Sequence, residues 1–151
     1  MGSCFFIGHH DAPGILAAKL DEAIERHITG FGVDSFVVGN YGSFDRMAQS
    51  ALIRAKKRHP DISIQMAVPY HPALRRVELL EGFDSIYFPE GQERAPYRTA
   101  ISRLNRTLVN ESDFLIAYVW YISGGSYKLM EYARKRERNG LLKITMLERI
   151  K

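Results

Sequence analysis

Short apolar runs alternating with amphipathic stretches constrain this chain more than any other feature of it. Strand-length apolar segments fall at 4–8, 35–38, 62–68, 85–88, 113–120 and 141–146. Between most of them, apolar residues recur at helical spacing. Leu16, Leu20, Ala23, Ile24 and Ile28 give the stripe of a helix predicted over 15–27, and Phe44, Ala48, Ala51, Leu52 and Ala55 that of one over 44–58. Parallel strands need helix-length crossovers, so this alternation points to a mostly parallel sheet with helices on both faces. The expectation is a Rossmann-like, doubly wound α/β domain of five to six strands, single over 1–151.

The punctuation fits that reading. Gly30 and Gly32 are expected to end the first helix, and Pro60 the second, because proline cannot continue a helix. Pro69-Tyr70-His71-Pro72 opens the least regular stretch. Pro96 suits the first turn of a third helix, whose inner face is Ile101, Leu104 and Leu108, with Asn110-Glu111-Ser112 closing it. The run over 113–120 is the longest and reads as the central strand, buried on both faces. A last helix is predicted over 126–138, stopped by Asn139-Gly140.

Composition narrows the function classes. No apolar run approaches the roughly 20 residues that span a bilayer, and Met1-Gly2-Ser3 lacks the basic and apolar regions of a secretion signal, so a cytoplasmic protein with no membrane partner is expected. Cys4 is the only cysteine, which excludes an internal disulfide and a cysteine-based zinc site. No metal or cofactor is implied. The net charge of +4 suits a polyanionic partner. Yet Lys56-Lys57-Arg58-His59 and Arg134-Lys135-Arg136 fall near the ends of predicted helices, where cations complement the helix dipole; nucleic acid is the less favoured partner.

Candidate binding residues cluster in three glycine loops at strand ends. After the first strand come Gly8, His9 and His10, with either imidazole a donor to a phosphate or ribose oxygen, or both simply exposed on a tight turn. After the second, Gly39-Asn40-Tyr41-Gly42-Ser43-Phe44-Asp45 offers backbone amides, a tyrosine ring and Asp45 as helix cap or hydroxyl acceptor. After the fifth, Gly124-Gly125 precedes Ser126 at an expected N-cap, with Tyr118, Trp120 and Tyr121 as faces for a base. Strand C-termini share one edge of a parallel sheet, so these loops are expected to border one crevice with anion-binding helix starts. Arg98 is placed nearest that edge; Arg103 and Arg106 serve equally as ion-pair or dimer residues.

Four segments give the chain a family resemblance. Phe5-Phe6-Ile7-Gly8-His9, the loop over 39–45, Asn105-Arg106-Thr107-Leu108-Val109 and Ser112-Asp113-Phe114-Leu115-Ile116-Ala117-Tyr118 resemble the SLOG superfamily. That Rossmann-like nucleotide-binding group is related to the Lonely Guy and DNA-processing protein A families. The chain is most similar to its small stand-alone branch in bacteria and phages. His10 stands where relatives often have arginine, and Gly42 is shifted by one from their inner glycine.

The resemblance implies binding of a nucleotide or nucleotide-derived small molecule, in a homo-oligomer; three glycine turns without an intact catalytic set point to non-catalytic binding, for sensing or sequestration. One alternative is a Lonely Guy-like phosphoribohydrolase cleaving nucleoside 5′-monophosphates, with Glu131 as the acid and Arg98 or Arg103 as clamp. Against that alternative, Ser123 replaces the motif's proline and Tyr127-Lys128 its Gly-Thr. Another alternative is single-stranded DNA binding.

Overall fold

In the computed structural model, which describes residues 2–122 and 124–150, the chain runs β1 (Gly2–Gly8), α1 (Ala17–Phe31), β2 (Val33–Val38), α2 (Ser43–Arg58), β3 (Ser63–Ala67), β4 (Ser85–Tyr87), α3 (Ala100–Glu111), β5 (Phe114–Tyr118), α4 (Gly125–Arg138) and β6 (Lys143–Met146). Met1, Ser123 and Lys151 lie outside the described residues, and with them the proline-to-serine departure noted above. Single turns of tighter helix at Gly14–Leu16 and Tyr97–Thr99 lead into α1 and α3.

All strand pairings are parallel, in the order β4-β3-β2-β1-β5-β6. Strand period divides the apolar side chains between two cores. Cys4, Phe6, Phe36, Val38, Ile64, Met66 and Ile116 face α1 and α2, where they meet Leu20, Ile24, Phe44 and Leu52. Phe5, Ile7, Val37, Leu115 and Ala117 face α3 and α4, against Leu104, Leu108, Met130 and Ala133. Strands covered on both faces have no wet side, which is why they read as unbroken apolar runs.

Several expectations shift. The run over 113–120 forms β5, an interior strand, while β1 and β2 hold the centre. Gly30 lies inside α1, which ends at Gly32. Pro96 precedes its helical turn instead of joining it. Gly124, not Ser126, is the N-cap of α4. The basic run at the end of α2 serves its neighbours: Lys56 reaches the Ile62 carbonyl and Asp84, while Arg58 and His59 meet Glu25 of α1 at 3.2 and 2.8 Å. Arg136 donates to the Asn110 carbonyl.

Gly8, at the end of β1, is fixed by packing. A Cβ built there would stand 2.1 to 2.6 Å from the ring of buried Phe44, in the first turn of α2. Gly8→Ala is therefore expected to cost about 2 kcal/mol in stability, as overpacked cores do. Urea unfolding of Gly8→Ala, Phe44→Leu and the double variant checks this: the double variant should recover part of the loss.

Candidate functional site

The chain steps outward from β1 through β2 and β3 to β4, then crosses back to place β5 beside β1. At that reversal the following connections diverge to opposite faces, which opens a crevice at the strand C-termini. The cavity there measures about 380 Å3, within the range of small-molecule sites. All three glycine loops reach it: Gly8 and His10 from the first, Gly39, Tyr41 and Asp45 from the second, Gly125 and Ser126 from the third. Phe5 and Ile7 contribute from the sheet, and α3 and α4 form walls with Ile101, Leu104 and Leu129. The cavity is thus apolar in depth, with polar groups at its rim.

Two helices start at this rim in the same way. Their N-caps, Gly42 (φ 97, ψ 175) and Gly124 (φ 95, ψ −179), occupy a backbone region that is essentially glycine-only. Each start carries unsatisfied amides and the positive end of a helix dipole. Among the described residues, the amides of Phe44 and Asp45 have no acceptor.

Cross-links hold the three loops together. The Ser43 amide donates to the His10 carbonyl at 2.8 Å and its hydroxyl to the Ala12 carbonyl at 3.0 Å. Gln49 Nε2 donates to the Gly39 carbonyl at 2.9 Å and to Asn40 Oδ1 at 3.1 Å, which occupies Asn40 structurally. Ser126 Oγ donates to the Gly8 carbonyl at 3.4 Å.

His9 ties the first loop to the third. Its Nε2 accepts from the amides of Trp120 at 2.7 Å and Tyr121 at 3.3 Å, and its ring stacks on Tyr121 with centroids 4.0 Å apart. An Nε2 that accepts is unprotonated, so the ring is neutral with its proton on Nδ1. Burial lowers its pKa, partly opposed by Asp11. His9 therefore positions the glycine loop and does not line the crevice; of the two imidazoles only His10 does.

Among the described residues that line the crevice, Asp45 is the one acid. Its Oδ2 accepts from the Tyr41 amide at 2.9 Å, so it holds the loop that precedes its own helix. Desolvation raises its pKa to about 6, against the lowering effects of that hydrogen bond and of Arg46. A Cβ on Gly39 would stand 3.0 Å from the same oxygen.

The remaining candidates lie elsewhere. Trp120 borders a separate cavity of about 160 Å3 with His9, Asp11 and Arg149, and donates from Nε1 to the Leu147 carbonyl at 3.2 Å. Tyr121 is there too, and Tyr118 is buried in the core facing α1 and α2. Gly42 packs on His10. Arg98 and Arg103 do not line the crevice, nor does Glu131. Glu131 lies near the Tyr127 phenol, whose pKa it raises. No ion pair joins it to Lys135 among the described residues.

The crevice's cations are instead Arg106 and Lys128, joined by Ser102 and Asn105. Arg106 also lies over the Tyr132 ring, 4.5 Å from its centroid. Ser102, Asn105 and Arg106 follow the i, i+3, i+4 spacing of one helix face, a signal present in the sequence.

Fold and cavity define an α/β Rossmann-like domain with a cleft where the strand order reverses. Among solved structures, it is similar to DNA processing protein A from Helicobacter pylori, with a TM-score of 0.54 and 14% identity over 94% of this chain and 74% of that one. That structure describes a single-stranded DNA binding mode of its own protein. At this identity the likeness is one of fold. No protein-family model matches the chain, and no curated protein does. Among the described residues, no helix is long and apolar enough to cross a membrane, and no cluster of three His, Cys, Asp or Glu is placed to hold a metal.

The His9 bridge has a measurable consequence. His9→Ala should leave the Trp120 and Tyr121 amides without an acceptor and speed their hydrogen exchange about ten-fold or more, as the free energy of local opening falls by about 1.4 kcal/mol. Because the native pKa of His9 is lowered, its stabilising contribution is complete above the unfolded value, about 6.5, and lost as pH falls through the native one. Unfolding of wild type and His9→Ala across pH 5 to 8 should converge toward the acid end.

Proposed function

We propose that this chain binds a nucleotide or nucleotide-derived small molecule in the crevice, holding it for sensing or sequestration without turning it over. The observation that carries the reading is the meeting of three glycine loops around one cavity that also has two helix starts, Arg106 and Lys128 at its edge. Main-chain amides and cations suit a phosphate, and the apolar walls of Ile101, Leu104 and Leu129 suit the flat face of a base. The finer parts of this reading, membership of the SLOG superfamily and a homo-oligomeric state, draw on the sequence resemblance.

The phosphoribohydrolase alternative gains no support from the cavity, since Glu131, Arg98 and Arg103 do not line it. Single-stranded DNA binding has one observation in its favour, the likeness of fold to DNA processing protein A. Its signature would be affinity that falls steeply with added salt.

Isothermal calorimetry against a panel of nucleoside mono-, di- and triphosphates tests the main reading, and no saturable binding would overturn it. Gly125→Ala separates binding from folding. Among the described residues, a Cβ there meets nothing within 4 Å and its φ is ordinary, so stability should hold or rise by up to about 1 kcal/mol. Affinity should nonetheless drop, because the methyl group enters the cradle. Arg106→Ala should weaken binding about ten-fold, the effect of losing a charge-assisted hydrogen bond.

Asp45 adds a charge test. Above pH 6 its carboxylate repels a bound phosphate, so Asp45→Asn should bind inorganic phosphate more tightly at pH 7, and the gain should vanish near pH 5, where wild-type Asp45 is protonated. Titration at the two pH values checks this.

A further inference from the structure

Beside the crevice, on the irregular segment between β3 and α3, stands a group of side chains that the crevice itself does not use. Tyr70 and Tyr97 stack with centroids 4.8 Å apart and planes 20° from parallel. The Arg75 guanidinium lies 4.7 Å from the Tyr70 centroid and 5.7 Å from that of Tyr97, and donates to the Tyr97 hydroxyl at 2.8 Å. Tyr97 is nonetheless 65% exposed. A ring stacked on one face and exposed to that degree leaves its other face in water, held in place by a neighbouring ring and a cation.

The group continues the crevice. Tyr41 lines the cavity and is close enough to Tyr70, Arg75 and Tyr97 for each to bias its ionisation, after burial, which is the main influence on it. Ile101, one turn beyond Tyr97 at the start of α3, also lines the cavity. A free aromatic face next to an arginine, adjoining an anion cradle, matches what single-stranded nucleic acids present: a planar base followed by a phosphate.

We propose that Tyr97, backed by Tyr70 and Arg75, is a stacking subsite for a second nucleobase, so that the preferred ligand carries two bases joined through phosphate: a dinucleotide or the end of a single strand. This rests on the crevice as the site of the first nucleotide. The first unit's phosphate lies against the glycine loops, and the next base reaches past Tyr41 onto Tyr97. Arg75 faces the linking phosphate from the tyrosine side.

The test compares adenosine 5′-monophosphate, the dinucleotide with 2-aminopurine as second base, and an eight-nucleotide single strand with 2-aminopurine as its second base, on the full chain. The dinucleotide should bind about five-fold or more tightly than the mononucleotide, the lower end of the effect of one base–aromatic stack, with quenching of 2-aminopurine. Tyr97→Ala should remove that gain and the quenching while leaving the mononucleotide affinity unchanged; Tyr97→Phe should keep both. Tyr97→Leu retains an apolar side chain against Tyr70 and must behave as Tyr97→Ala does. An eight-nucleotide strand much tighter than the dinucleotide identifies a single strand as the ligand, and equal affinities identify a dinucleotide. A mononucleotide that binds as tightly as the dinucleotide overturns the stacking subsite and leaves the crevice standing; no binding by any of the three overturns both.

Discussion

The contact of the Phe44 ring with the bare Cα of Gly8 decides where the functional edge of this molecule lies. It seats the first turn of α2 directly on the end of β1, and that places the Ser43 amide on the His10 carbonyl and the unpartnered amides of Phe44 and Asp45 at the cavity rim. A side chain at position 8 would lift the helix start away from the strand and open the loops around it. The glycine most easily read as a ligand's approach path is therefore explained first by packing. The cavity above it follows from the same closeness.

The electrostatics of the crevice are uneven in a way that favours an anion. Two helix starts, Arg106 and Lys128 are set against Asp45, whose burial disfavours its charge and raises its pKa to about 6. On the proposed reading a bound phosphate would raise that pKa further, so that binding at neutral pH would be accompanied by proton uptake and the acid's opposition to the ligand would shrink as the complex forms. Asp45 also holds the Tyr41 amide, a bond either protonation state can keep through the oxygen that carries no proton. The loop is thus not released when the carboxyl group titrates.

How much of this was legible in the sequence follows from the range of each interaction. Strands buried on both faces and helices with one apolar stripe are written in local periodicity, and the doubly wound sheet follows from their alternation. That the three glycine loops share one edge follows from parallel pairing alone. The loop-to-loop bonds were not legible: His9 stands 111 residues from the amide it accepts from, and no local pattern marks a histidine as a bridge instead of a ligand donor. Arg98 is the arginine nearest the start of α3 in the sequence. The crevice, however, runs along the side of that helix, so face and not distance from the end selects Arg106. The Tyr70–Tyr97 stack depends on how an irregular segment folds back, for which spacing gives no rule.

The two sides of the site are built differently, and that difference divides their roles. The side formed by the loops after β1, β2 and β5 is braced by Ser43, Gln49, His9 and Ser126, each bonded to backbone of another loop or of its own strand end. Such a cradle is set by the sheet, and helix-start amides of this kind suit a phosphate irrespective of what it is attached to. Beside the crevice lies the stretch between β3 and α3, whose regular structure is β4 and two single helical turns, at Gln92–Arg94 and Tyr97–Thr99. Its exposed residues, Tyr97 among them, answer to few packing constraints, so they can change without disturbing the sheet. On the proposed reading, discrimination among ligands sharing a phosphate belongs to Tyr70, Arg75 and Tyr97, and the glycine loops supply the affinity those ligands have in common.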